Sequence, residues 1–108
     1  MATYSNASYA VKNVSTSGST AIPSISSGTV AVSSLILSNT SVSPITVNAY
    51  ITRSSVNYYL VYQATVPVGG SLEAIQGNRV VMQTGDVLTV LSSAATSCDC
   101  WVSALTAV

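Results

Sequence analysis

The 108-residue chain predicts an all-β fold: an antiparallel β-sandwich, jelly-roll-like, with about eight strands. Three observations predict it. Val, Ile, Thr and Tyr, the residues suited to a pleated and half-buried surface, dominate the sequence. No apolar repeat of helical period persists beyond a single turn. Turn-forming clusters of Gly, Pro, Asn and Ser recur about every 8 to 12 residues, the spacing of short strands in a sandwich or barrel. Connections this short make the sheets mostly antiparallel. The length suits one domain with a modest core. We divide it into a flexible N-terminal arm, residues 1–14, and a single β-sandwich domain, residues 15–108.

Each element has its own signal. Tyr9 and Val11 alternate with Ala10 and Lys12, a marginal strand within the arm, and "STSGST" follows as a loop. "TAIPSISSG" holds a short strand that Pro23 confines to a sheet edge. In "TVAVSSLILSN" the apolar face passes from Val30 and Val32 to Leu35 and Leu37, a slip of one residue near Ser33 and Ser34 that predicts a β-bulge. Pro44 opens the next strand, in which Ile45, Val47, Ala49 and Ile51 share one face and Thr46, Asn48, Tyr50 and Thr52 the other. "SSVN" reads as a hairpin turn. "YYLVYQATV" returns with Tyr58, Leu60 and Tyr62 on one face and Tyr59 and Val61 on the other. "PVGG" ends it. "SLEAI" is a short strand, "QGN" a tight turn at Gly77, and "RVVM" a further strand. "QTGD" turns into "VLTVLSS", and "AATS" turns into the last strand, "CDCWVSALTAV".

Composition excludes several functions. Hydrophobic residues make up 48% and charged residues 6%, with a formal net charge of zero. Such a surface has little colloidal repulsion, which suits a protein destined for assembly. Lys12, Arg53 and Arg79 are scattered, so no basic patch exists for nucleic acid. No apolar run approaches the roughly 20 residues of a membrane span, and the N-terminus lacks a signal-peptide pattern. The chain has no His, so neither a Ser-His-Asp nor a Cys-His arrangement can form within it. Glu73, Asp86 and Asp99 are its only acids, and nothing pairs two of them for acid/base work or gathers them for calcium. No phosphate-binding glycine loop is present. Cys98 and Cys100, two apart, make a poor zinc site and a strained disulfide, and are expected as small half-buried thiols. The expectation is a protein without enzyme activity, cofactor or metal.

The remaining candidates are contact residues. Tyr50, Tyr58, Tyr59 and Tyr62 lie on two adjacent expected strands, and Trp101 lies on the last. They form either ordinary cross-strand packing or an aromatic surface for a sugar or a partner subunit. Tyr58 and Tyr59 point to opposite faces. In "SLEAIQGNRVVMQTGD", Asp86 after Gly85 is a turn device whose carboxylate accepts nearby backbone N–H groups. Glu73 and Arg79 would oppose one another across the "QGN" turn.

This stretch also carries a resemblance. Asn39 with Thr40, "YYLV" at 58–61, "PVGG" at 67–70, Glu73, Gly85 with Asp86, and "SSAA" at 92–95 stand in the order found in a family of small virion proteins of tailed bacteriophages, including phages of cyanobacteria. The resemblance spans residues 33–108 and leaves out the arm. It implies a β-sandwich accessory protein present in many copies in the virion, made in the host bacterial cytoplasm. Family members occur in heads, necks and tails. The expected role is capsid decoration (a cement protein) contacting the major capsid protein, with a neck or tail/fibre component or a carbohydrate-binding module as alternatives. The low charge and exposed edges add the expectation of a homo-oligomer, first of all a trimer, with no nucleic-acid or membrane partner. The "CDCW" of the last strand departs from the family pattern and is expected to supply a particle-specific contact.

Overall fold

A computed structural model describes residues 4–107, and every regular element among them is a strand. They are β1 (Tyr4–Val11), β2 (Ser19–Ile22), β3 (Thr29–Asn39), β4 (Ile45–Arg53), β5 (Val56–Val66), β6 (Ser71–Gln83), β7 (Val87–Ser92) and β8 (Cys98–Ala107). They form two four-stranded sheets, ordered β1-β8-β3-β6 and β2-β7-β4-β5. All neighbours are antiparallel. Only the β4–β5 connection stays within one sheet; every other one crosses between them, the winding of an eight-stranded jelly roll.

Alternation decides which side chains fill the space between the sheets. On β3 the buried positions are Val30 and Val32, then Leu35, Leu37 and Asn39. The change of parity is the bulge expected at Ser33: Val32 faces Ala104 and Ser34 faces Ser103, so Ser33 is the extra residue. On β4, Ile45, Val47, Ala49 and Ile51 point inward as expected. Leu35, Leu37, Met82 and Leu88 are fully buried, each contributing about 1.5–3 kcal/mol by leaving water. The β4–β5 hairpin turns on Ser54 (φ 53°) and Ser55 (φ 64°). Two left-handed residues in a two-residue loop match the right-handed twist of the flanking strands.

The structure departs from the sequence expectation at four places. First, residues 4–11 of the expected arm form edge strand β1, paired with β8 from Tyr4↔Ala107 to Val11↔Cys100. Val14 is fully buried and its N–H donates to the Cys98 carbonyl at 2.7 Å. Residues 1–3 of that arm lie outside the described residues. Second, no turn separates "SLEAI" from "RVVM". β6 runs unbroken, and its register passes from Ser34↔Gln76 to Val32↔Val80, four steps against two on β3. A wide bulge absorbs the extra residues, so the glycine that reads as a turn loosens a strand instead. Glu73 and Arg79 therefore share one strand, and the expected pairing across a turn has no turn to form on. Third, β5 carries two register shifts. Ala49 faces Val61 while Tyr50 faces Tyr59, which makes Leu60 an extra residue and reverses the alternation after it. Tyr62 thus joins the face of Tyr59 rather than that of Tyr58. Fourth, Cys98 and Cys100 are not half-buried but core residues, at 0% and 3% exposure. Positions two apart on β8 point the same way, into the sandwich.

Two polar groups hold the turns at the ends of the sandwich. Asn39 is buried at the end of β3, and its amide is fully used. Nδ2 donates to the carbonyls of Ser43 (2.9 Å) and Val66 (3.1 Å), while Oδ1 accepts from the Ser41 N–H (2.9 Å) and hydroxyl (2.8 Å). It ties the β3–β4 turn to the end of β5. At the other end, the Asp86 carboxylate accepts the Gln83 N–H at 2.8 Å, the turn device expected after Gly85, whose φ is 94°.

Candidate interaction surfaces

The seven candidate residues separate into three groups. Tyr50, Tyr59 and Tyr62 come together on the outer face of the β2-β7-β4-β5 sheet. The Tyr50 and Tyr59 ring centroids are 5.2 Å apart and tilted by 51°, and Tyr59 meets Tyr62 edge-on at 5.0 Å and 89°. Each such pair is worth about 0.5–1.5 kcal/mol beyond its buried area. The bulge at Leu60 creates the cluster, since strict alternation would put Tyr59 and Tyr62 on opposite faces. Tyr59 and Tyr62 remain 48% and 63% exposed. Tyr58 stands apart. It faces Ile51 on the inner side of edge strand β5 and, with Ile51 and Arg53, lines an open cavity of about 290 Å³.

Trp101 lies on the outer face of the other sheet and is 53% exposed. Register places it in a row across that sheet, Ala10–Trp101–Ile36–Glu73, from β1 to β6. Glu73 thus sits two strands from the indole, and Arg79 lies further along β6, exposed. On the same face Val81 is also exposed. Within "CDCW" only Asp99 and Trp101 reach the surface, so the expected thiol-bearing contact is not available.

Charges are engaged at turns. The Arg53 guanidinium grips Asp86 with two contacts, Nε to Oδ1 at 2.9 Å and Nη2 to Oδ2 at 2.6 Å. The Arg53 hydrogen bond, aided by that from Gln83, holds the Asp86 carboxyl below the usual carboxylate range. Lys12 Nζ meets Asp99 Oδ2 at 2.9 Å on the surface, and the Asn13 N–H donates to Oδ1 at 3.1 Å. The Asn13 bond first, then Lys12, lowers the Asp99 carboxyl. An exposed pair of this kind contributes about 0–1 kcal/mol. The Arg53/Asp86 pair and the Asn39 network were not expected from sequence. Arg53 at the end of a strand is the only signal for the first, and Asn39 appeared only as a motif letter.

Burial pushes the Cys98 thiol up to about 11 and the Cys100 thiol up to about 12. Neither is a nucleophile at neutral pH. Among the described residues no three His, Cys, Asp or Glu side chains gather as a metal site. A cavity of about 310 Å³ between the start of the β2–β3 loop and β8 is lined by Tyr9, serine hydroxyls and aliphatic side chains. Among the described residues no helix is long and apolar enough to cross a membrane.

No protein-family model matches the chain, and no curated protein matches it in sequence. Solved structures do. The chain is similar to the subunit of Bacillus endospore appendages, a family of disulfide-linked pili, at 16% identity and TM-score 0.54, covering 97% of this chain and 87% of that one. It is similar to the Drosophila NLP core, studied for pentamer formation and histone binding, at 12% identity and TM-score 0.50, covering 98% and 96%. A chain of the T13 IBDV viral particle matches at 10% identity and TM-score 0.43, over 99% of this chain and 31% of that one. The first two, at identities this low, show a shared fold and nothing more.

Proposed function

We propose that the chain is a structural protein of a bacteriophage virion, acting by subunit contacts and not by catalysis. Capsid decoration, in contact with the major capsid protein, is the placement we favour; a neck or tail component is the alternative. The observation that carries this reading is the character of the two outer sheet faces. Both present exposed aromatic or aliphatic side chains, Tyr59 and Tyr62 on one and Trp101 and Val81 on the other. Around them the polar residues are mostly uncharged, the composition of a protein–protein contact core. The phage-protein resemblance of residues 33–108 supports the same reading, and so does the use of this fold in pili and in a pentamer. Sugar binding is less favoured, because a stacking platform wants coplanar rings and the tyrosines meet at 51° and 89°. The test is cryo-EM or immunogold labelling of purified particles. The protein is expected at many symmetry-related positions on the head; its absence from particles would refute the reading.

A further inference from the structure

We propose that the free edge of β1 is a self-association surface, on which β1 of one copy pairs antiparallel with β1 of a second copy about a two-fold axis. The proposal deepens the assembling-subunit reading and rests on it for a place in a particle, whereas the contact itself is argued from the sheet edge.

A jelly roll has four edge strands, here β1 and β6 in one sheet and β2 and β5 in the other. An unprotected edge is a template for a strand from another chain, so soluble proteins blunt their edges by shortness, charge, proline or bulges. Three of these edges are blunted. β2 has four residues and stops before Pro23. β5 is distorted by two register shifts, with Gln63 at φ 50° within one of them. β6, though continuous, is distorted by two register shifts and carries Glu73 and Arg79. β1 has none of these devices. Its sequence, YSNASYAV, holds no charge and no proline, and its eight pairs with β8 run without a shift. Among the described residues, no loop backbone bonds to residues 4–11, and the only side-chain bond to their backbone is the Thr106 hydroxyl on the Ser5 carbonyl.

The occupant that fits is a second copy. Residues opposed across two strands must lie on the same sheet face. Asn6, Ser8 and Ala10 face out, exposed, while Ala7, Tyr9 and Val11 are half-buried on the inner side. Self-pairing centred on Ser8 satisfies this everywhere: Ser8 meets Ser8, Asn6 meets Ala10, Ala7 meets Tyr9 and Ser5 meets Val11. Large side chains thereby meet small ones. The two Lys12 residues fall at opposite ends of the ladder, and the zero net charge adds no general repulsion. The product is one continuous sheet, β6-β3-β8-β1 joined to β1-β8-β3-β6. Such a contact is isologous and closes at two copies, in place of the three suggested by sequence.

The test is the oligomeric state of the full chain by light scattering or sedimentation across a concentration series. It is run on the unaltered protein, on Ser8→Lys, and on Ser8→Cys beside Thr20→Cys at the β2 edge. A dimer is expected, Ser8→Lys shifting it to monomer with unchanged circular dichroism, because like charges would stand directly opposed. Ser8→Cys should form a covalent dimer under mild oxidation, and Thr20→Cys should not. A chain that stays monomeric at every concentration, a Ser8→Lys protein that dimerises normally, or a Ser8→Cys protein that cross-links no faster than Thr20→Cys would each overturn the proposal. Particle content separates this from the functional reading. A dimer absent from particles sinks only that reading, and a monomer built into particles sinks only the edge contact.

Discussion

Asn39→Asp replaces one buried atom and converts a donor into an acceptor. Asn39 Nδ2 sits 2.9 Å from the Ser43 carbonyl and 3.1 Å from the Val66 carbonyl. The substituted carboxylate would keep the bonds that Oδ1 accepts from Ser41, but would set its second oxygen against two carbonyl oxygens. Each unsatisfied buried group costs about 1–3 kcal/mol, more when charged, so the ionised variant should lose roughly 3–5 kcal/mol. That is a large part of a typical domain's stability of about 5–15 kcal/mol. Protonation restores one donation, to Ser43 or Val66, and should recover about 2 kcal/mol. The folded state therefore raises the pKa of the introduced carboxyl above its unfolded value of about 3.9. For an acid shifted this way the penalty is least below the unfolded value and grows as pH rises through the folded one. Urea unfolding at pH 7.5 and near pH 4.5 measures it. The difference between the native protein and Asn39→Asp should shrink at the lower pH, while that for Asn39→Ala should hold constant. Equal losses for Asn39→Asp at both pH values, or no loss at neutral pH, would refute the assigned hydrogen-bond pattern.

Three further outcomes follow from the geometry. Changing Ser54 to Asn and Ser55 to Gly should raise stability by about 1 kcal/mol, because both positions are left-handed and the present residues are sterically strained there; unchanged thermal unfolding would count against the turn. Asp86→Asn removes a carboxylate whose pKa is lowered on folding. Such a group stabilises above its unfolded pKa and loses that effect as pH falls through the folded value. The variant should therefore be weaker than the native protein at neutral pH, and the gap should close in acid, as read by unfolding at both conditions. The buried thiols of Cys98 and Cys100 should resist a thiol reagent until the protein unfolds, and reductant should leave the melting temperature unchanged, since both are free; rapid labelling of the folded protein would contradict their burial.

The sequence carried the fold class well, and two of the failures share one cause. Wherever a strand keeps a strict period of two, as in β4, or slips by one apolar position, as at Ser33, the pattern alone assigns each face. Bulges defeat this when the slip leaves no apolar mark. At Leu60 the flanking Tyr and Val residues are compatible with either face, so only the pairing with β4 reveals that Tyr59 and Tyr62 share one. At 76–78 a glycine between polar residues has the composition of a turn, and only the long partner β3 shows the strand continuing. β1 was hidden for a different reason: its Ser, Ala and Asn residues have little intrinsic strand preference, and β8 supplies the order. The Arg53/Asp86 pair joins residues 33 positions apart, a separation that only the jelly-roll winding closes.

The same facts bear on why so few charges suffice. Lys12, Asp99, Arg53 and Asp86 are all engaged in pairs near turns or strand ends, where they fix loop geometry. The outer faces then carry mainly tyrosine, tryptophan, valine and hydroxyl side chains, with Glu73 and Arg79 standing among them on β6. An ordinary soluble domain, with about a quarter of its residues charged, would guard its sheet edges with lysine and glutamate. Here the β2 and β5 edges are guarded by shape, through shortness and bulges, and only the β6 edge adds charge to its bulges. Edge protection by shape blocks strand addition without placing charge on the neighbouring faces, so those faces stay compatible with close packing against other subunits. A protein selected to stay monomeric would have no reason to separate the two. This chain separates them at the β2 and β5 edges and leaves β1 without either form of protection, the combination expected of a subunit that assembles along one defined edge.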